Sequence, residues 1–180
     1  ALGQGKKEEA GKYMGNGLTL TIILGLVFMI LGNVFLAPML RLLGASKTVL
    51  PYAENYLSII LYGAVFQCIA MAGNNFSRAQ GNPKNAMISQ LIGAGFNILF
   101  DYILICIFHM GMKGAAFATI GGQLLSALWQ LAFLFGKRTI ISLNISLLKL
   151  KLSVSKQIIQ TGIPAFLMQI SNSVLNIILN

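Results

Sequence analysis

Asn97-Ile98-Leu99-Phe100-Asp101 sets a carboxylate and an amide four positions apart inside an apolar run long enough to cross a bilayer. That spacing is close to one helical turn, so the two side chains share a face, and Gly93 extends it. An ionisable group at membrane depth is expensive, and it marks a functional site facing a cavity or a partner. Two chemistries suit it. Asp101 could alternate between protonated and ionised forms, or it could share a Na⁺ ion with Asn97 and a threonine hydroxyl, since hard cations take oxygen ligands. The plainer alternative is packing, with the carboxyl hydrogen-bonded to a neighbouring helix.

Other segments carry polar faces of the same kind. Thr119, Gln123, Ser126 and Gln130 fall at i, i+4, i+7 and i+11 along 114–135. Gly114, Ala118, Gly122 and Ser126 make an overlapping small-residue ladder suited to close helix packing. Gln169, Asn172 or Ser173, Asn176 and Asn180 repeat the theme near the carboxyl end. Several one-sided polar helices imply a shared wet interior, which Gln123, Gln130, Met168 and Gln169 would line as the contacts for a transported molecule. Met168 is one of eight methionines, adaptable side chains that suit flat apolar ligands. His109, at the end of its segment, reads as an interface residue or helix cap. Cys68 and Cys106 read as small buried hydrophobes with no metal or redox spacing. No phosphate loop, CxxC, HExxH or nucleophile elbow is present, so neither an enzyme nor a cofactor is expected.

The elements that hold these residues follow from composition. Hydrophobic residues make up 56% of the chain and charged residues 9%, with a mean hydropathy of +0.77; a soluble domain carries about 25% charged residues. The expected fold class is all-α, a polytopic transmembrane helix bundle, because a lipid-facing backbone must satisfy its own hydrogen bonds. Five apolar segments stand out, at 17–43, 51–76, 86–108, 114–135 and 158–179. Gly44 closes the first, Pro51 suits the first turn of the second, and Gln80-Gly81-Asn82-Pro83-Lys84 forms a tight turn before the third.

The net charge of +9 argues for membrane topology and not for nucleic acid, since the basic residues sit in short connectors. With alternating sides, Lys6, Lys7, Lys12, Arg78, Lys84, Lys137, Arg138, Lys149, Lys151 and Lys156 share one side, and Arg41, Lys47 and Lys113 share the other. The richer side is expected in the cytoplasm of a cell (inner) membrane protein. The connector 136–155 alternates aliphatic with polar residues and lysines. It is expected to combine a solvated linker with a stretch lying on the membrane interface.

Asn74-Asn75-Phe76-Ser77-Arg78-Ala79-Gln80-Gly81-Asn82-Pro83-Lys84 resembles the turn after the fourth helix of multidrug and toxic compound extrusion (MATE) transporters. The likeness continues through Asn97–Asp101, then Gly111-Met112-Lys113-Gly114-Ala115-Ala116-Phe117-Ala118-Thr119 and Gln123, and ends at Gly162-Ile163-Pro164, which looks like the start of the seventh helix. The resemblance implies part of a 6+6 helix transporter: 1–16 a cytoplasmic loop, 17–135 four helices of the amino-terminal lobe, 136–155 the cytoplasmic inter-lobe linker and 156–180 the start of the carboxyl-terminal lobe. Positions matching Asn97, Asp101 and Thr119 line a cation site in that family. The implied activity is an antiporter, monomeric at full length, exporting cationic or amphipathic organic compounds in exchange for H⁺ or Na⁺. The chain has no acidic residue after Asp101, which looks more like the DinF-type branch than the branch with a glutamate on helix seven. A lipid-linked precursor flippase of the related exporter superfamily and a non-transporting membrane scaffold are the alternatives.

Overall fold

The computed structural model describes residues 6–42, 44, 46–136 and 139–179; Lys137, Arg138 and Asn180 lie outside them. The described residues form helices and connecting turns with no strand: α1 Lys7–Val34, α2 Leu36–Leu42, α3 Leu50–Tyr62, α4 Ala64–Ala79, α5 Pro83–Asp101, α6 Gly111–Phe135 and α7 Leu152–Leu179. Helix α6 is central, packing on α5, α4 and α3, while α1 packs on α4 and α7. Three helices, α1, α5 with its extension to Ile107, and α6, are long and apolar enough to cross a membrane; the bent pair α3–α4 makes a fourth. Large apolar side chains such as Leu24, Phe28, Ile98 and Phe108 stay exposed, as expected of a surface solvated by lipid.

Several boundaries differ from the sequence expectation. Helix α1 begins at Lys7, so most of the stretch expected as a loop over 1–16 is helical. Glu8 and Glu9 occupy its first turn, where carboxylates suit the helix dipole, and exposed pairs Lys6–Glu9 (3.6 Å) and Lys12–Glu8 (3.4 Å) add a little. The larger reason is burial: Ala10, Met14 and Leu18 enter a core shared with Ile69, Ala127, Leu134, Ile141 and Leu143. The first apolar segment breaks at Phe35 because Pro38 has no N–H and its ring would clash with the carbonyl of Val34. The second breaks at Gly63, where α3 and α4 bend by 48°. Glu54, in α3, is a second carboxylate within an apolar segment. The fifth segment is one helix, α7, which runs on through Pro164.

The turn chemistry held. Gly81 takes φ +75° after α4, Asn82 caps α5 by accepting from the Asn85 N–H at 3.2 Å, and Pro83 occupies the first turn. Beyond Asp101 the helix widens into a π turn over Tyr102–Ile107, with the Phe108 N–H donating to the Ile103 carbonyl at 3.0 Å. His109 ends it with φ +53°, the left-handed conformation that a β-branched side chain resists. His109→Val is therefore expected to cost about 1–2 kcal/mol and His109→Gly to be close to neutral. Chemical unfolding in detergent measures both.

The connector after α6 packs on the helices along part of its length, while Ile140, Ile145 and Leu150 stay exposed. Ile141 and Leu143 are buried, and the turn Ile145–Leu148 lies across α1. The Leu143 N–H donates to the Leu134 carbonyl (2.8 Å), the Ile141 N–H to Gln80 Oε1 (3.1 Å) and the Lys151 N–H to Asn16 Oδ1 (2.7 Å); Thr19 Oγ1 donates to the Leu148 carbonyl (2.8 Å). Gly15 allows the approach, since a Cβ there would lie 2.6 Å from the Leu147 carbonyl carbon.

Candidate cation site and polar cavity

The α5–α6 contact positions the site. Gly93 and Gly122 meet backbone to backbone: a Cβ on Gly122 would come within 2.6 Å of the Gly93 carbonyl oxygen. One turn away, Ser126 Oγ donates to the Ser89 carbonyl (2.9 Å) and Ser89 Oγ to the Ser126 carbonyl (3.3 Å). This close seam sets Asn97 opposite Thr119, where Asn97 Nδ2 donates to Thr119 Oγ1 at 3.3 Å. Thr119 in turn donates to the Ala115 carbonyl at 2.9 Å.

Asn97 and Thr119 open onto a cavity of about 500 Å³ between α4, α5 and α6, lined also by Gln67, Asn74, Gln90, Gln123 and Ser126. Its polar groups are amides and hydroxyls, with no lysine or arginine among the lining residues. Asp101 sits one turn past Asn97, where the π turn begins, and is half-buried. Its Oδ1 is buried with no hydrogen-bond partner among the described residues, and so is Gln123 Oε1. Each such orphan costs about 1–3 kcal/mol unless a donor or a cation meets it.

Of the expected substrate contacts, Gln123 reaches the cavity and three do not. Gln130 is fully buried: its Oε1 accepts from Ser77 Oγ (2.8 Å) and Asn85 Nδ2 (3.0 Å), and its Nε2 donates to Asn74 Oδ1 (2.6 Å). Asn85 Nδ2 also donates to Ser77 Oγ (3.0 Å), and Trp129 Nε1 donates to Asn85 Oδ1 (2.9 Å). Gln130 thus belongs to a network tying α4, α5 and α6 together, with its amide oxygen already accepting two bonds and its side chain outside the cavity lining. Met168 and Gln169 are exposed on α7, which packs against α1 and away from the cavity. The network residues Ser77 and Asn85 were not expected to act together, although Ser77 lies in the polar turn sequence that suggested the family and Asn85 directly follows it.

An all-helical, multi-pass membrane bundle with an amide-lined cavity, one helical turn from the half-buried Asp101 carboxylate, has the anatomy of a membrane transporter. The MatE family model matches residues 1–103, and the chain belongs to that family. It is 33% identical over 159 residues to the multidrug export protein MepA of Staphylococcus aureus, a match covering 88% of this chain and 35% of that protein. A solved inward-facing multidrug resistance MATE family transporter of the MOP superfamily superposes with a TM-score of 0.87 at 29% identity, over 96% of this chain and 40% of that one. An outward-facing structure with the same description gives 0.84 at 29% identity, over 94% and 38%. The chain therefore spans roughly a third of the length of the curated relatives it matches.

Proposed function

We propose that this chain supplies most of the amino-terminal lobe of a secondary antiporter that exports cationic or amphipathic organic compounds in exchange for H⁺ or Na⁺. The observation that carries the reading is the unpartnered Asp101 Oδ1 buried one turn from the Asn97–Thr119 hydrogen bond. A single carboxylate with neutral oxygens nearby suits a proton or a monovalent cation. A bound cation would satisfy the orphaned oxygen, so the loaded and empty forms differ in free energy, and that difference biases the lobe between its two orientations. Asn97 and Thr119 complete the cation site, Gln123 faces the exported molecule, and the bilayer is the only other partner the reading requires.

A precursor flippase is less well supported, because pyrophosphate needs cations and none lines the cavity. The scaffold reading gives no reason for a carboxylate oxygen without a partner at this depth. In membrane vesicles carrying the full-length protein, gradient-driven efflux of a fluorescent organic cation is expected to fall about tenfold or more in Asp101→Asn, equivalent to about 1.4 kcal/mol. The H⁺ or Na⁺ gradient that drives the wild type identifies the ion. Undiminished efflux from a folded Asp101→Asn protein would remove Asp101 from coupling.

A further inference from the structure

The bend at Gly63 and the cation site are joined by one side chain. Gln123 lies one helical turn beyond Thr119 on α6 and faces the cavity. Its Oε1 presses against the break between α3 and α4: a Cβ on Gly63 would sit 2.6 Å from it and 2.7 Å from Ile120 Cγ1. That oxygen is buried without a donor. An amide whose buried acceptor has no donor gives up no hydrogen bond when it leaves that place.

We propose that Gln123 is a positioning residue linking occupancy of the Asp101 site to the α3–α4 bend, a proposal that rests on the antiporter reading above. Ion binding at Asp101 recruits the Asn97 amide oxygen and turns Asn97 Nδ2 away from Thr119. The freed Thr119 hydroxyl oxygen accepts from Gln123 Nε2, which draws the amide off Gly63. The bend then loses its wedge, and α3 swings relative to α4. Glycine at 63 is required because a methyl there would hold the amide off the bend whether or not the ion is bound.

The test uses the full-length protein with Cys68 and Cys106 replaced by serine and spin labels at Tyr52 on α3 and Asn75 on α4, both exposed. In the wild type the label-to-label distance is expected to change with Na⁺ or pH, whichever drives efflux. Gln123→Leu and Gly63→Ala should each lose most of that change and raise the ion concentration for half-maximal efflux about tenfold. The double variant should be no worse than either single, since both remove the same contact. Gln123→Asn keeps an amide in the cavity but falls short of Gly63, so it should behave like Gln123→Leu; wild-type behaviour would mean the amide merely fills the cavity.

Effects that multiply in the double variant, or an unchanged ion response in the folded single variants, would overturn the link. A wild-type distance that ignores both ions would do the same. Failure of the underlying reading looks different: Asp101→Asn would then keep both its ion-dependent distance change and its efflux.

Discussion

Replacing Gln130 by leucine is expected to cost about 3 kcal/mol of stability, although leucine is close to it in size. The substitution leaves Ser77 Oγ without its acceptor, Asn74 Oδ1 without its donor and Asn85 Nδ2 with one acceptor where it had two. Each residue is buried, which raises the cost of a lost partner. Single interhelical hydrogen bonds in membrane proteins contribute modestly, about 0.6 kcal/mol on average. The larger figure arises because one side chain serves three partners on two neighbouring helices. Relief cannot come from α4 sliding inward, because Gly73 already lies so close to α6 that a Cβ there would be 2.5 Å from Gln130 Cβ. Unfolding of the purified protein in detergent measures the loss. Ser77→Ala should cost about 1 kcal/mol alone and more in the Gln130→Leu background, since Ser77 Oγ is then the one acceptor left to Asn85 Nδ2. Equal costs in both backgrounds would show that the two side chains act independently.

What the sequence made legible was local. Apolar segments of the right length announced the spanning helices, and Gly81, Asn82 and Pro83 announced a turn whose geometry follows from their own backbone preferences. The i, i+4 spacing placed Asn97 and Asp101 on one face, and the family likeness supplied Thr119 opposite. Partners set by tertiary packing were not legible. Gln130 continues the stripe of Thr119 and Gln123, yet it meets α4 where they meet the cavity, because α4 and α5 converge on α6 toward that end. The helical start at Lys7 was hidden by glycines and charges typical of loops. Its surest signals were the Glu8–Lys12 spacing and the Gly11-x-x-x-Gly15 pair, a face flat enough for another backbone. The alternating pattern of 140–152 did not announce the ties to Gln80 and Asn16, because apolar residues facing a protein surface and those facing lipid obey the same periodicity.

Gly15→Val is expected to release the connector from α1. The new side chain would occupy the space of the Leu147 main chain, which cannot yield as a flexible side-chain tip would. With that segment displaced, the bonds from Thr19 to the Leu148 carbonyl and from the Lys151 N–H to Asn16 are lost, and Leu147 leaves the core edge. The local cost is about 3 kcal/mol, two hydrogen bonds and one partly buried leucine. Asn16 suffers most, because it is buried and keeps only its own bond to the Lys12 carbonyl. Trypsin should then cut readily at Lys149 and Lys151, and the Ile141 and Lys151 amides should exchange with solvent deuterium at least about tenfold faster. Gly11→Ala makes the contrasting control: its Cβ would meet only the Leu147 Cδ1 and Ile141 Cγ2 tips at 3.3 and 3.4 Å, so the connector should stay protected. The consequence reaches α7, which begins at Leu152, directly after the Lys151 anchor, and is held again where the Tyr13 hydroxyl donates to Gln157 Oε1. These two ties make the first turns of α7 an extension of α1. An intact connector in Gly15→Val, with unchanged proteolysis and exchange, would show that α7 is positioned by its own packing and not by the strand of chain that leads into it.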